Sequence, residues 1–126
     1  MPLTDAKPVT FINTANRHAA EAFYREVLGL PFVADDGFAA VFDLGGAVLR
    51  VTELPGYVAG PHPALGWSVP DIERTMEFLV SRAIEPLIYD GFDQDALGIW
   101  TSPDGSAQVA WFRDPDGNVL SVVQSS

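Results

Sequence analysis

Two stretches of this 126-residue chain repeat, in the same order, two stretches met earlier in it. The fold must therefore be one that builds a like module twice. Residues 11–31 (FINTANRHAAEAFYREVLGLP) align with residues 66–86 (GWSVPDIERTMEFLVSRAIEP) at a shift of 55, which sets Asn16 on Asp71, Phe23 on Phe78 and Pro31 on Pro86. Residues 43–51 (DLGGAVLRV) align with 114–122 (DPDGNVLSV) at a shift of 71, which sets Asp43 on Asp114, Gly46 on Gly117, Val48 and Leu49 on Val119 and Leu120, and Val51 on Val122. The two shifts differ by 16 residues, so the second copy carries an insertion.

Each copy reads as strand, helix and three strands. Residues 8–15 (PVTFINTA) alternate apolar and polar, the period of a half-buried strand. Asn16 is placed to cap a helix whose Ala20, Phe23, Tyr24, Val27 and Leu28 share one face, with Gly29 as its stop. Strands follow over 32–34, 38–44 and 47–53, with Asp35-Asp36-Gly37 and Gly45-Gly46 as turns. The only linker-like stretch is 54–63 (LPGYVAGPHP), rich in proline and glycine. In the second copy a strand over 64–69 leads to a helix capped by Asp71, then a short strand over 86–89 and a polar loop over 90–96. Segments 97–101 and 106–113 form a hairpin, and 114–118 (DPDGN) turns into a last strand over 119–124. The expectation is an α+β fold, one domain over 1–126. It has two pseudo-symmetric βαβββ modules (8–53 and 64–124) whose mixed sheets form a shared cup, each sheet having its helix on the other face.

Composition narrows the function classes. Seventeen acids against seven bases give a net charge of −10, which argues against nucleic acid and anionic membranes and favours approach of a cation. The absence of cysteine removes disulfides, thiolate metal sites and thiol nucleophiles. No basic-then-apolar leader opens the chain and no apolar run is long enough to cross a membrane, so a cytoplasmic location is expected.

Three phrases carry a family resemblance: AEAFYREVLGLPF at 20–32, SVPDIERTMEFLVSRAIEP at 68–86 and WFRDPDGNVLSVVQ at 111–124. Together they resemble the vicinal oxygen chelate superfamily, the glyoxalase, bleomycin-resistance and extradiol-dioxygenase fold. The resemblance implies paired modules around a common pocket and, in many single-domain members, a homodimer. It also implies a divalent metal held by His, Glu or Gln from the first and last strand of each module. Carried over, those positions are Val9, Ala64, Arg50 and Ser121. Metal binding needs several donor atoms converging at about 2.0–2.6 Å. Valine and alanine have none, arginine repels a cation, and a neutral serine hydroxyl is a poor ligand. The expectation is a member without the metal and with no cofactor.

Strand parity says what accompanies those positions. Val9, Phe11 and Asn13, Val48, Arg50 and Thr52, His62, Ala64, Gly66 and Ser68, and Val119, Ser121 and Val123 should face the cup. Ile12, Leu49, Val51, Leu65, Trp67, Leu120 and Val122 should lie under the helices. Arg50 either clamps an anionic group of a ligand or pairs with an internal acid. His62 is either a proton carrier or a rim residue, and His18 is placed in solvent. Trp100, Tyr89, Phe92 and Tyr57 either stack on a flat ligand or cover a sheet edge or a dimer interface, with Trp111 on the strand after the inserted hairpin. Asp114–Asn118 lacks the glutamate that would complete a calcium loop and reads as turn chemistry. The first expectation is a metal-free protein that binds a small planar or aromatic molecule of unknown identity. The alternative is a lyase, isomerase or oxygenase of the same superfamily, metal-dependent through other ligands or metal-free through Arg50 and His62. A third is an interaction module.

Overall fold

The computed structural model describes residues 2–125. They fall into two compact units, the division lying between Ala59 and Gly60, inside the proline- and glycine-rich stretch.

In the first unit, β1 (Val9–Thr14) leads to α1 (Arg17–Ala22), and β2 (Phe32–Asp35), β3 (Ala39–Asp43) and β4 (Val48–Glu53) follow. The sheet order is β1-β4-β3-β2, with β1 parallel to β4 and the other pairs antiparallel. Asn16 caps α1 by accepting from the Ala19 N–H at 3.2 Å. Beyond Ala22 the helix loosens into a π-turn, Phe23–Val27, and the N–H of Leu28 donates to Phe23 O at 3.0 Å. Gly29, at φ 72°, then ends it. Ile12, Tyr24, Phe42, Leu49 and Val51 form the core of this unit, and Tyr24 packs on both Phe23 and Phe42.

The second unit repeats the plan. It holds β5 (Pro63–Ser68), α2 (Ile72–Ser81), β6 (Trp100–Thr101), β7 (Ala107–Arg113) and β8 (Val119–Ser125), in the order β5-β8-β7-β6. Asp71 caps α2 through the Arg74 N–H. Ile72, Met76 and Leu79, at helical spacing, are buried, as are Ala110, Phe112, Leu120 and Val122 on the strands below. A second cap is also duplicated. Gln124 Oε1 accepts from the Ile72 N–H at 2.7 Å, and Glu53 Oε1 accepts from the Arg17 N–H at 3.0 Å. Each comes from the end of its unit's last strand.

In the second unit the structure differs from the sequence expectation over residues 86–89, over 97–101 and at the start of β5. Residues 86–89 do not form a strand: the side-chain amide of Gln94 takes the Tyr89 N–H and Leu87 O, and one backbone bond, Leu87 N–H to Trp111 O, ties the segment to β7. The strand expected over 97–101 shortens to Trp100–Thr101, because Asp95 Oδ1 accepts from the N–H groups of Leu97 and Ile99 and holds that stretch in a loop. The unbroken alternation expected over His62, Ala64, Gly66 and Ser68 is interrupted: Pro63 stands opposite Val119, and the register shifts between Pro63 and Leu65. A proline has no N–H for the ladder, and a bulge beside it accommodates the extra residue.

Candidate functional site

On the first sheet, the face away from the helix carries Val9, Phe11 and Asn13 of β1 opposite Val48, Arg50 and Thr52 of β4. Val41 of β3 flanks Arg50 on its other side. Phe11 is 64% exposed and Val9 46%. Arg50 does not stand free there. Its Nη1 lies 2.7 Å from Asp36 Oδ2, while Asp36 Oδ1 accepts from the N–H groups of Phe38 and Ala39. The Arg50 hydrogen bond, then those two backbone bonds, pull the Asp36 carboxyl from 3.8 down to about 2. The neighbouring Asp35 is also lowered, first by the Gly37 N–H and then by Arg17. The β2–β3 turn is thus tied down by two ion pairs, Asp35 to Arg17 and Asp36 to Arg50.

The second sheet's helix-free face is aromatic. Trp111 lies opposite Ser121, and Val109 lies between Val123 on one side and Trp100 on the other. The long connection between α2 and β6 lays Tyr89 and Phe92 against these rings. Tyr89 meets Trp111 edge-on at 5.2 Å, Phe92 meets Trp111 at 5.8 Å and Trp100 at 6.4 Å, and Tyr89 meets Phe92 at 5.6 Å. The two contacts with Trp111 are edge-to-face, which suits the ring quadrupoles, and the other two are tilted. The cluster is not sealed: Phe92 is 43% exposed, and Tyr89, Trp100 and Trp111 are half-buried. Gly66 stands opposite Ser121, and a Cβ at 66 would come within 2.5 Å of the Ser121 Oγ, so this edge of the face is kept small.

The residues singled out from sequence distribute as follows. Val9, Phe11, Asn13, Val48, Arg50 and Thr52 are gathered on one face of the first unit. Ser68, Ser121 and Trp100 lie on the helix-free face of the second. Val119, on that face by parity, is buried. Ala64 sits at the register shift, and exposed His62 precedes β5 beyond it, so strand alternation does not extend to His62. Tyr57 lies in the turn after β4, its N–H donating to Leu54 O. Trp67 is half-buried on the helix side, opposite Val122. His18 lines a shallow surface cleft with Glu21, Arg25 and Glu26. Asp114 accepts from the N–H groups of Asp116 and Asn118 and from Asn118 Nδ2, which is turn chemistry. Sequence reasoning undervalued Trp111. It stands at the centre of the cluster, and its shared parity with Ser121 across the last hairpin was the available signal.

The side chains at Val9, Arg50, Ala64 and Ser121 do not fit a metal. The first and third are hydrocarbon, the guanidinium is engaged by Asp36, and only one hydroxyl remains. Among the described residues no group of three or more His, Cys, Asp or Glu side chains is placed to hold a metal ion. Also among them, no helix is long and apolar enough to cross a membrane.

Comparison with known proteins agrees with this architecture. The family model of the Glyoxalase/Bleomycin resistance protein/Dioxygenase superfamily matches residues 8–122. No curated protein matches the chain in sequence. Among solved structures, a Bacillus anthracis protein assigned to the glyoxalase family superposes with a TM-score of 0.75 at 14% identity, over 97% of this chain and 96% of its own. A glyoxalase family protein from Enterococcus faecalis gives 0.74 at 21% identity, over 98% and 99%. The lactoylglutathione lyase of Agrobacterium tumefaciens gives 0.69 at 22% identity, over 95% and 93%. At these identities the likeness is one of fold.

Proposed function

The chain belongs to the Glyoxalase/Bleomycin resistance protein/Dioxygenase superfamily, and from that premise we propose that it binds a small planar or aromatic molecule on the ring cluster of its second sheet. The observation that carries this reading is the half-exposed group of Tyr89, Phe92, Trp100 and Trp111. Flat rings offer a large contact area with few rotors to freeze, and each aromatic contact contributes about 0.5–1.5 kcal/mol beyond area burial. Ser121, beside Trp111, supplies a hydroxyl to orient a ligand. The charge of the loop that carries Tyr89 and Phe92 is of one sign. Between Arg82 and Arg113 there is no base, while Asp90, Asp93 and Asp95 surround Phe92 in the sequence. A planar cation is therefore favoured over a planar anion of the same shape. Action in the cytoplasm and homodimerisation belong to the same reading. The first is supported by the lack of cysteine and the second by the family; light scattering tests the second.

The experiment is a titration of tryptophan fluorescence and thermal stability with planar tricyclic probes of matched size, proflavine as the cation and anthracene-2-carboxylate as the anion. Saturable quenching and a rise in melting temperature with proflavine, weaker with the anion and lost in Trp100→Ala, is the expected result. No saturable response to either probe up to millimolar concentration would end this reading.

A further inference from the structure

The connection between α2 and β6 supplies half of the ring cluster, yet no strand or helix holds it. Asp95 holds its last turn through the Leu97 and Ile99 N–H groups, and one side chain, Gln94, joins its two ends. Gln94 makes three hydrogen bonds to the backbone of its own loop: Oε1 accepts from the Tyr89 N–H at 2.7 Å, and Nε2 donates to Leu87 O at 2.8 Å and to Gly98 O at 2.7 Å. Only a neutral amide can do this. A carboxylate lacks the donors and an ammonium lacks the acceptor. The clasp is tight where it closes. Gly98 is buried with φ 81°, and a Cβ there would come within 2.6 Å of the Pro86 side chain. Only glycine lets the loop's end approach its beginning.

We propose that Gln94 is a positioning residue for the ring cluster: by joining Leu87, Tyr89 and Gly98 it sets Tyr89 and Phe92 against Trp111. Its role in ligand binding rests on the reading that the cluster is the binding surface; its role in setting the rings does not. A wall arranged in advance spares the ligand the entropy of ordering it. Gln94 touches no ring in this role and acts through the loop backbone.

The test uses the whole protein and the variants Gln94→Ala and Gln94→Glu, with Gln124→Ala as control. Gln124 is also a side-chain amide bonded to backbone in the same unit, but it serves the start of α2. Both Gln94 variants are expected to lose near-ultraviolet circular dichroism from the coupled rings and to expose tryptophan to acrylamide. The control should change neither. Proflavine affinity should fall roughly fivefold or more in the Gln94 variants, about the worth of one lost ring contact, and stay unchanged in the control. Gln94→Glu keeps the acceptor to Tyr89 and serves if Gln94→Ala does not fold. Retention of the wild-type ring spectrum and quenching in either folded variant would overturn the proposal, as would an equal change in the control. If the wild type binds no probe while the ring spectrum of the variants collapses, the binding reading fails and the positioning role stands.

Discussion

The two sheets are built to one plan, but their helix-free faces carry different chemistry. In the first, the position beside the last strand's central residue is Phe11, 64% exposed, and that central residue is Arg50, occupied by Asp36. In the second, the corresponding pair is Gly66 and Ser121, so close that a Cβ at 66 would displace the Ser121 hydroxyl. The middle strand differs likewise: Val41 flanks Arg50, whereas Trp111 flanks Ser121 and meets Tyr89 and Phe92. Those two rings come from the long connection that the first module lacks. The parts that make the fold are kept in both copies, while the faces that do not pack on a helix have diverged. One is a charged clip beside an exposed ring, and the other is a self-packed aromatic surface.

The largest test of that contrast is a pair of truncations. Trp111→Ala removes the ring that both Tyr89 and Phe92 pack against, and should cost about 3 kcal/mol, at the low end for a large aromatic because the residue is half-exposed. Phe11→Ala removes a ring of similar class from an exposed site and should stay within about 0.5 kcal/mol. Denaturant melts of the two variants decide it. If Phe11→Ala costs as much as Trp111→Ala, the first face is not the open surface described. The duplicated caps give a smaller effect. Gln124→Ala strips a part-buried partner from the Ile72 N–H and should cost about 1 kcal/mol. Glu53→Ala, at an exposed site, should cost about half as much, and less again in high salt. Equal costs and equal salt response would erase the distinction between the two ends.

Much of this plan could be read from the chain, for physical reasons that also mark where reading failed. Apolar alternation placed Ile12, Leu49 and Val51 under the first helix, because a strand's period of two leaves one buried face. Asn16 and Asp71 announced the helix starts. Even the paired caps were within the repeat, since Glu53 and Gln124 stand 71 residues apart, as do Arg50 and Ser121. The π-turn was not readable. It lets the first helix run one residue further from its cap, to Gly29, than the second runs to Ala83, whose φ of 65° marks its stop. Residues 87–89, Leu-Ile-Tyr, have strand character, and nothing local reveals that a side chain five residues later takes their backbone groups. The ring cluster depends on that same non-local clasp, so the aromatic residues were visible as candidates but their assembly around Trp111 was not.

The smallest effect is also the one that separates the units by mechanism. Asp36 in the first unit and Asp104 in the second are both pulled from 3.8 to about 2. For Asp36 the leading cause is the Arg50 hydrogen bond, joined by the N–H groups of Phe38 and Ala39. For Asp104 it is the Ser106 N–H, then the hydroxyls of Ser106 and Ser102, with no cation involved. Because both folded values lie below the ordinary one, each carboxylate favours the folded state above about pH 4, and that contribution is lost as pH falls through about 2. Salt screens the attraction of an ion pair but leaves neutral donors in place. Carboxyl-carbon NMR titrations at low and at molar salt should therefore move Asp36 upward by a few tenths of a unit and leave Asp104 where it was. Arg50→Met should move Asp36 upward toward 3.8, short of it because the Phe38 and Ala39 N–H bonds remain, without touching Asp104. If the two aspartates shift together under salt, or Asp36 stays near 2 without Arg50, the first face is held by its turn backbone alone and its charged clip has no part in it.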